Sequence, residues 1–224
     1  MKAKFSEYLN SLMGPLESLI YILGREYDYV SVLSTDSKGL RVSISQHSKS
    51  VGNQTMTTER GTVVRVYKNK LYSEYALDRF DPARVEEQAK EIIETLNSQL
   101  EVLKLCQANV YETGKLEDEP CELLVEKETE ELPEQADIPD MVKIFTGISD
   151  AGMAKSEYML DCIVNGQSTH VCKLFMTRNR CMRQSYVYSE GSVAAILAKD
   201  GQNRFGYKGI SGLCGPELFS GLEG

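Results

Sequence analysis

The residues able to do chemistry are few. The 224-residue chain has only two histidines, His47 and His170, far apart in sequence. A zinc site of the H-E-x-x-H kind needs two imidazoles on one helical face with a carboxylate beside them, and no such spacing occurs. His170 stands two residues before Cys172 in a predicted strand, so their side chains share a face and offer two metal ligands without a visible third. A serine or cysteine nucleophile needs a histidine base within hydrogen-bond reach. Ser211, in Gly209-Ile210-Ser211-Gly212, does not complete G-x-S-x-G. Gly206, Gly209 and Gly212 match neither G-x-G-x-x-G nor a Walker A loop, and read as a flexible, glycine-rich end. No catalytic, cofactor-binding or metal-binding residue is therefore assigned, and no cofactor is expected on this chain.

Charge is distributed unevenly. Glu112 to Asp140 holds twelve acidic residues against two basic ones, Lys115 and Lys127, a local charge of −10 within a net −8. The rest of the chain is close to neutral. Three of the six prolines (Pro120, Pro133 and Pro139) also fall there. The segment reads as a solvated linker, although Leu123-Leu124-Val125 could dock locally, and its carboxylates lack the shaped, partly dry site that acid–base chemistry needs. Arg178, Arg180 and Arg183 with Lys173 form a small basic cluster, followed by Tyr186 and Tyr188. Charge plus stacking rings is a nucleic-acid pattern, but the cluster is small in a chain of pI about 5.0, and nucleic acid is not the expected partner. The six cysteines (Cys106, Cys121, Cys162, Cys172, Cys181 and Cys214) form no C-x-x-C pair and read as reduced thiols of a cytoplasmic protein. No apolar run approaches a membrane span, and no secretory signal follows the N-terminus.

The elements that must position these residues follow from periodicity. Phe5, Leu9, Leu12 and Met13 share one helical face; Gly14-Pro15 predicts a break, and Leu16, Leu19, Ile20 and Leu23 a second helix. Strands are expected at Tyr27 to Leu33, at the alternating Leu40 to Ser45 after a turn at Gly39, and at Gly61 to Tyr67. Leu71 to Leu77 completes a hairpin through Lys68-Asn69-Lys70, and part of Ser45 to Thr58 is a possible short strand. Asp81-Pro82 opens a long helix whose stripe is Val85, Ala89, Ile92, Leu96, Leu100 and Leu103. Beyond the acidic segment, strands at Tyr158 to Val164, His170 to Met176, Cys181 to Tyr188 and Ser192 to Ala198 are separated by turn signals. Those signals are Asn165-Gly166, Glu190-Gly191 and Asp200-Gly201. The fold class is α+β, with helices covering mixed or antiparallel sheets and a strand-rich second half. Its parts are residues 1–111, an acidic linker 112–140, and a strand-rich region 141–224. The last part stops at Leu222-Glu223-Gly224 as if cut.

The order of these elements resembles a known family. A helix leads into Arg25-Glu26-Tyr27-Asp28-Tyr29-Val30-Ser31-Val32; an alternating strand, a Gly-Thr-Val-Val-Arg-Val strand, an aromatic strand and the Asp81-Pro82 helix follow. Later come Tyr188-Ser189-Glu190-Gly191-Ser192-Val193 and Ala198-Lys199-Asp200-Gly201-Gln202-Asn203-Arg204-Phe205-Gly206-Tyr207. Together they resemble the N-terminal region of the TldD/PmbA family, zinc-dependent peptidases also called modulators of DNA gyrase. The resemblance implies a cytoplasmic protein, a homo- or heterodimer with a family subunit, and small or unfolded peptides as substrates. It also implies that zinc is held by a H-E-x-x-x-H helix and a later cysteine downstream of this region, so no zinc ligand carries over. The expected role is a substrate-gripping or assembly region, inactive alone, that receives extended peptides at a sheet edge. A stand-alone, non-catalytic interaction module is the alternative.

Overall fold

The computed structural model describes residues 1–55, 59–105 and 116–222. Helix α1 (Glu7–Leu23) is capped by the Ser6 side chain, which accepts from the Leu9 amide. It runs straight through Pro15, so the expected break is absent. Leu9 and Leu12 on one side of the proline, and Leu16, Leu19 and Leu23 on the other, are all buried on the same support. That shared burial outweighs the local cost of the proline.

One eight-stranded sheet unites both β-rich parts of the chain, in the order β4-β3-β1-β6-β7-β5. β1 (Tyr29–Ile44), β6 (Met159–Thr177) and β7 (Arg180–Lys199) form its long centre. β3 (Arg60–Lys68) and β4 (Leu71–Leu77) extend one side, with β2 (Lys49–Gly52) on the far end of β1. β5 (Cys121–Glu126) and β8 (Gln202–Gly212) flank β7 on the other side. All pairings are antiparallel except β5 with β7. The sheet is thus mixed, and β5 lies inside the acidic segment.

Three expected turns are strand interior. Gly39 pairs with Thr169 within β1. Gly166 and Gly191 lie opposite one another, and β6 and β7 continue past them. Their glycines serve packing instead: a Cβ on Gly166 would lie 2.6 Å from the Phe145 ring, and one on Gly191 2.9 Å from Leu222. Asp200-Gly201 is a true turn, with φ of 53° and 74°, and so is Asn69-Lys70, at 53° and 67°. The glycine-rich end is ordered into β8 and a 3-10 helix (Pro216–Leu222) that buries Phe219 and Leu222.

Side chains alternate across a strand, so one parity faces one side. The even residues of β1 and β6 all face the helices. At one end Val30, Val32, Leu174 and Met176 meet α1 and α2 (Val85–Leu105). At the other, Leu40, Val42, Ile44 and Val164 meet α3 (Ile138–Met153), Phe219 and Leu222. The long helix starts at Val85, not at Asp81; the Asp81 carboxylate caps a preceding turn by accepting from the Ala83 amide at 2.9 Å. Leu103 is 40% exposed, and the stripe ends at Leu100.

Gly166→Val tests the close approach of this layer. Valine favours strands elsewhere, but here overpacking against Phe145 and Phe219 should destabilise by about 1–3 kcal/mol in chemical denaturation; an unchanged midpoint would contradict the packing described.

Candidate functional site

Between the two apolar cores the same face of the sheet turns polar. Ser34, Asp36 and Lys38 come from β1, Ser168, His170 and Cys172 from β6, and Ser185 and Ser189 from β7. His170, buried, accepts or donates on both ring nitrogens: Nδ1 lies 2.9 Å from Glu134 Oε1 and Nε2 2.8 Å from Ser185 Oγ. The Ser185 hydroxyl donates to the Lys4 carbonyl at 3.3 Å. Cys172 Sγ lies 3.3 Å from Ser185 Oγ and 3.7 Å from His170 Nε2.

Burial disfavours charge on His170, but its hydrogen bonds to Cys172 and Glu134, with their charges, prevail and hold its pKa at about 9. Burial also opposes charge on Glu134, yet the His170 hydrogen bond and the nearby Lys38 leave its pKa below the usual value. The pair is therefore ionic at neutral pH. Both ring nitrogens then donate, and the Ser185 hydroxyl donates its own hydrogen bond to the Lys4 carbonyl. Carboxylate, imidazole and hydroxyl stand in the order of a hydrolase relay, but Ser185 is fully buried. The arrangement is a clamp. It fixes the N-terminal segment, which is also held by Ala3 N to Lys127 O at 2.9 Å and Phe5 N to Glu126 Oε1 at 2.8 Å.

A cavity of about 620 Å³ opens beside the clamp, lined by Lys4, Tyr8, Asp36, Arg60, His170 and Cys172 among others. Its strongest ion pair is internal: Arg60 holds Asp36 at 2.8 Å and lies over the Tyr8 ring. Among the described residues no three His, Cys, Asp or Glu side chains are placed to hold a metal ion. The His170–Cys172 pair does share a face, as its spacing requires, but without a third ligand. His47 lies in the exposed turn after β1, nine residues beyond Lys38, which stands opposite His170. Ser211 and the three glycines lie in β8. The described cysteines are all free, and Cys106 lies outside the described residues.

The acidic segment engages two members of the basic cluster. Arg180 donates to the Glu119 carbonyl and faces Asp118 at 3.7 Å, while Arg183 faces Glu122 at 3.4 Å. Lys173, of opposite parity to Arg183's partner face, lies with Tyr186 and Tyr188 on the other side of the sheet. Sequence reasoning missed Glu134, Ser185 and Lys4. A signal existed for Glu134, because Leu132-Pro133 before it is apolar and both residues are buried.

β8 offers a sheet edge. A two-residue turn with both φ positive makes Lys199 and Gln202 the hydrogen-bonded pair that closes the hairpin. From there the odd residues Asn203, Phe205, Tyr207, Gly209 and Ser211 point their N–H and C=O away from β7. Among the described residues no strand pairs with that edge. Phe205 and Tyr207 stack there, 68% and 67% exposed.

No protein-family model and no curated protein matches the sequence. Solved structures do. A proposed modulator of DNA gyrase from Bacteroides thetaiotaomicron VPI-5482 superposes with a TM-score of 0.68 and 13% identity, over 93% of this chain and 46% of its own. One from Thermotoga maritima MSB8 gives 0.60 and 12%, over 91% and 44%. TldE from Thermococcus kodakarensis gives 0.59 and 13%, over 89% and 43%. The fold is theirs. These neighbours carry the names of the TldD/PmbA family that the sequence resembles, and the chain spans under half of their length. Among the described residues no helix is long and apolar enough to cross a membrane.

The clamp makes stability depend on pH. His170, raised from 6.5 to about 9 in the fold, stabilises fully below 6.5 and loses that contribution as pH rises through about 9. Glu134, lowered from 4.5, contributes above 4.5 and loses its share as pH falls through its depressed value. The thermal midpoint of the wild type, measured against His170→Gln, should therefore be highest between these limits and fall on the alkaline side. A difference that stays constant from neutral pH to pH 10 would refute the clamp.

Proposed function

We propose that this chain is the substrate-gripping or assembly region of a TldD/PmbA-like metallopeptidase that acts on small or unfolded peptides. On this reading the protein is cytoplasmic and works as a dimer with a like or related subunit, and zinc chemistry is supplied by residues outside this chain. The observation that carries the reading is the near-complete match of the chain to less than half of each neighbouring structure. The interior supports it: the hydroxyl of the His170 relay, Ser185, is fully buried. The edge supports it too. Outward N–H and C=O groups on the odd residues of β8 can take an extended peptide as a further antiparallel strand, with main-chain bonds that ignore sequence.

Proline removes one outward N–H and is tolerated on an edge where the N–H faces solvent. Tyr207→Pro should weaken binding of an unfolded peptide about tenfold in fluorescence anisotropy, with the fold retained. Tyr207→Val, which keeps the backbone donor, should weaken it less. Equal losses in the two variants would exclude strand addition at β8. The 224-residue chain alone should cleave no peptide when zinc is added, and zinc-dependent cleavage by it would overturn the whole assignment.

A further inference from the structure

We propose that the open face of the sheet carries a site for the free carboxyl end of a peptide whose last residue is apolar or aromatic. This deepens the peptide-gripping reading and rests on it. The side of β6 and β7 turned away from the helices holds a groove of about 570 Å³. Its floor and walls include Val125, Val171, Tyr186, Tyr188 and Leu213. That volume lies in the range of ordinary ligand sites and holds a terminal side chain with its carboxylate.

Lys127 and Lys173 line the same groove. Their placement follows from register. Lys173 lies opposite Gln184, Val171 opposite Tyr186, and Val125 of β5 opposite Gln184 from the other side. Lys127, two residues beyond Val125, falls on the same face. Among the described residues neither ammonium has an ion pair or side-chain hydrogen bond. Elsewhere on this sheet Arg60, Arg65, Arg180 and Arg183 are each engaged by a carboxylate. Among the described residues Glu59 is the only acidic one lining the groove, so cations there outnumber it two to one. Two unpaired ammonium groups beside an apolar, ring-lined hollow match a ligand with one anionic end and one apolar side chain.

The chemistry distinguishes this ligand from a polyanion. Two lysines suffice for one carboxylate, while the chain as a whole carries −8 and repels a nucleic acid. Along β7 the groove leads towards a second, polar hollow of about 310 Å³ lined by Arg41, Gln167 and Glu190. The residues preceding the carboxyl end would run that way.

The test is fluorescence anisotropy of the 224-residue chain with a labelled hexapeptide ending in Leu-Phe, as free acid and as amide. The free acid should bind about tenfold more tightly, the worth of a charge-assisted contact. The double variant Lys127→Met, Lys173→Met should remove that preference while keeping the wild-type thermal midpoint. Tyr188→Ala should weaken both forms. If acid and amide bind equally, the carboxylate site is wrong and the edge-gripping reading stands. If neither form binds, both fall. Competition by a single-stranded oligonucleotide that displaces the peptide stoichiometrically, and is itself lost in the double lysine variant, would reassign the lysines to phosphate and overturn the proposal.

Discussion

The register of β1 on β6, and of β6 on β7, is the constraint on which the rest of the molecule depends. β1 pairs with β6 from Ser31 opposite Thr177 to Ile44 opposite Val164 without a shift. A one-residue slip would turn every even side chain to the open face and expose both apolar cores at once. Burying each large side chain contributes roughly 1.5–3 kcal/mol, so a slip forfeits many such contributions together. The register is also marked sterically. Gly166 and Gly191 face each other under Phe145, Phe219 and Leu222, and any neighbouring register would place a side chain there.

Because both cores share one face, the strip between them must be filled, and it is filled with polar groups. A buried imidazole costs stability unless it is paired and hydrogen-bonded. Here the two partners come from distant parts of the chain, with Glu134 in the acidic segment and the Lys4 carbonyl in the N-terminal segment. The acidic segment therefore has structural duties. It neutralises Arg180 and Arg183 through Asp118 and Glu122, ties down Phe5 through Glu126, and ionises His170 through Glu134. Its negative charge is partly spent inside the fold.

Legibility in the sequence followed the range of the interactions. The α2 stripe, the alternating run from Leu40, the hairpin at Asn69-Lys70 and the turn at Asp200-Gly201 are local patterns and stood out. Gly39 misled although it lies within β1; Asn165-Gly166 and Glu190-Gly191 misled because a glycine required by close packing looks the same in sequence as one required by a turn. Pro15 misled for a related reason: the local cost was visible, and the common support of the two half-stripes was not. The site was the least legible part. His170 and Cys172 sharing a face could be read from their spacing, but Glu134 and Ser185 join them only through tertiary contact. Leu123-Leu124-Val125 hinted at docking, and β5 is where it occurs.

The two faces of the sheet are unequal, and this inequality bears on what the molecule can do. Among the described residues, one face is covered by three helices and two 3-10 turns, and Ser185 of the His170 relay there is fully buried. The other keeps tyrosines, lysines and hollows turned outward, and β8 leaves a row of backbone groups with no strand beside them among the described residues. Chemistry on a substrate requires groups that the substrate can reach; on the covered face His170 and Cys172 line a cavity, while Ser185 is fully buried. Recognition requires only accessible hydrogen-bond donors, apolar surface and charge. The open face and the β8 edge supply all three, held rigid by a sheet whose register is fixed from the opposite side. Rigidity on one face thus positions the accessible groups on the other.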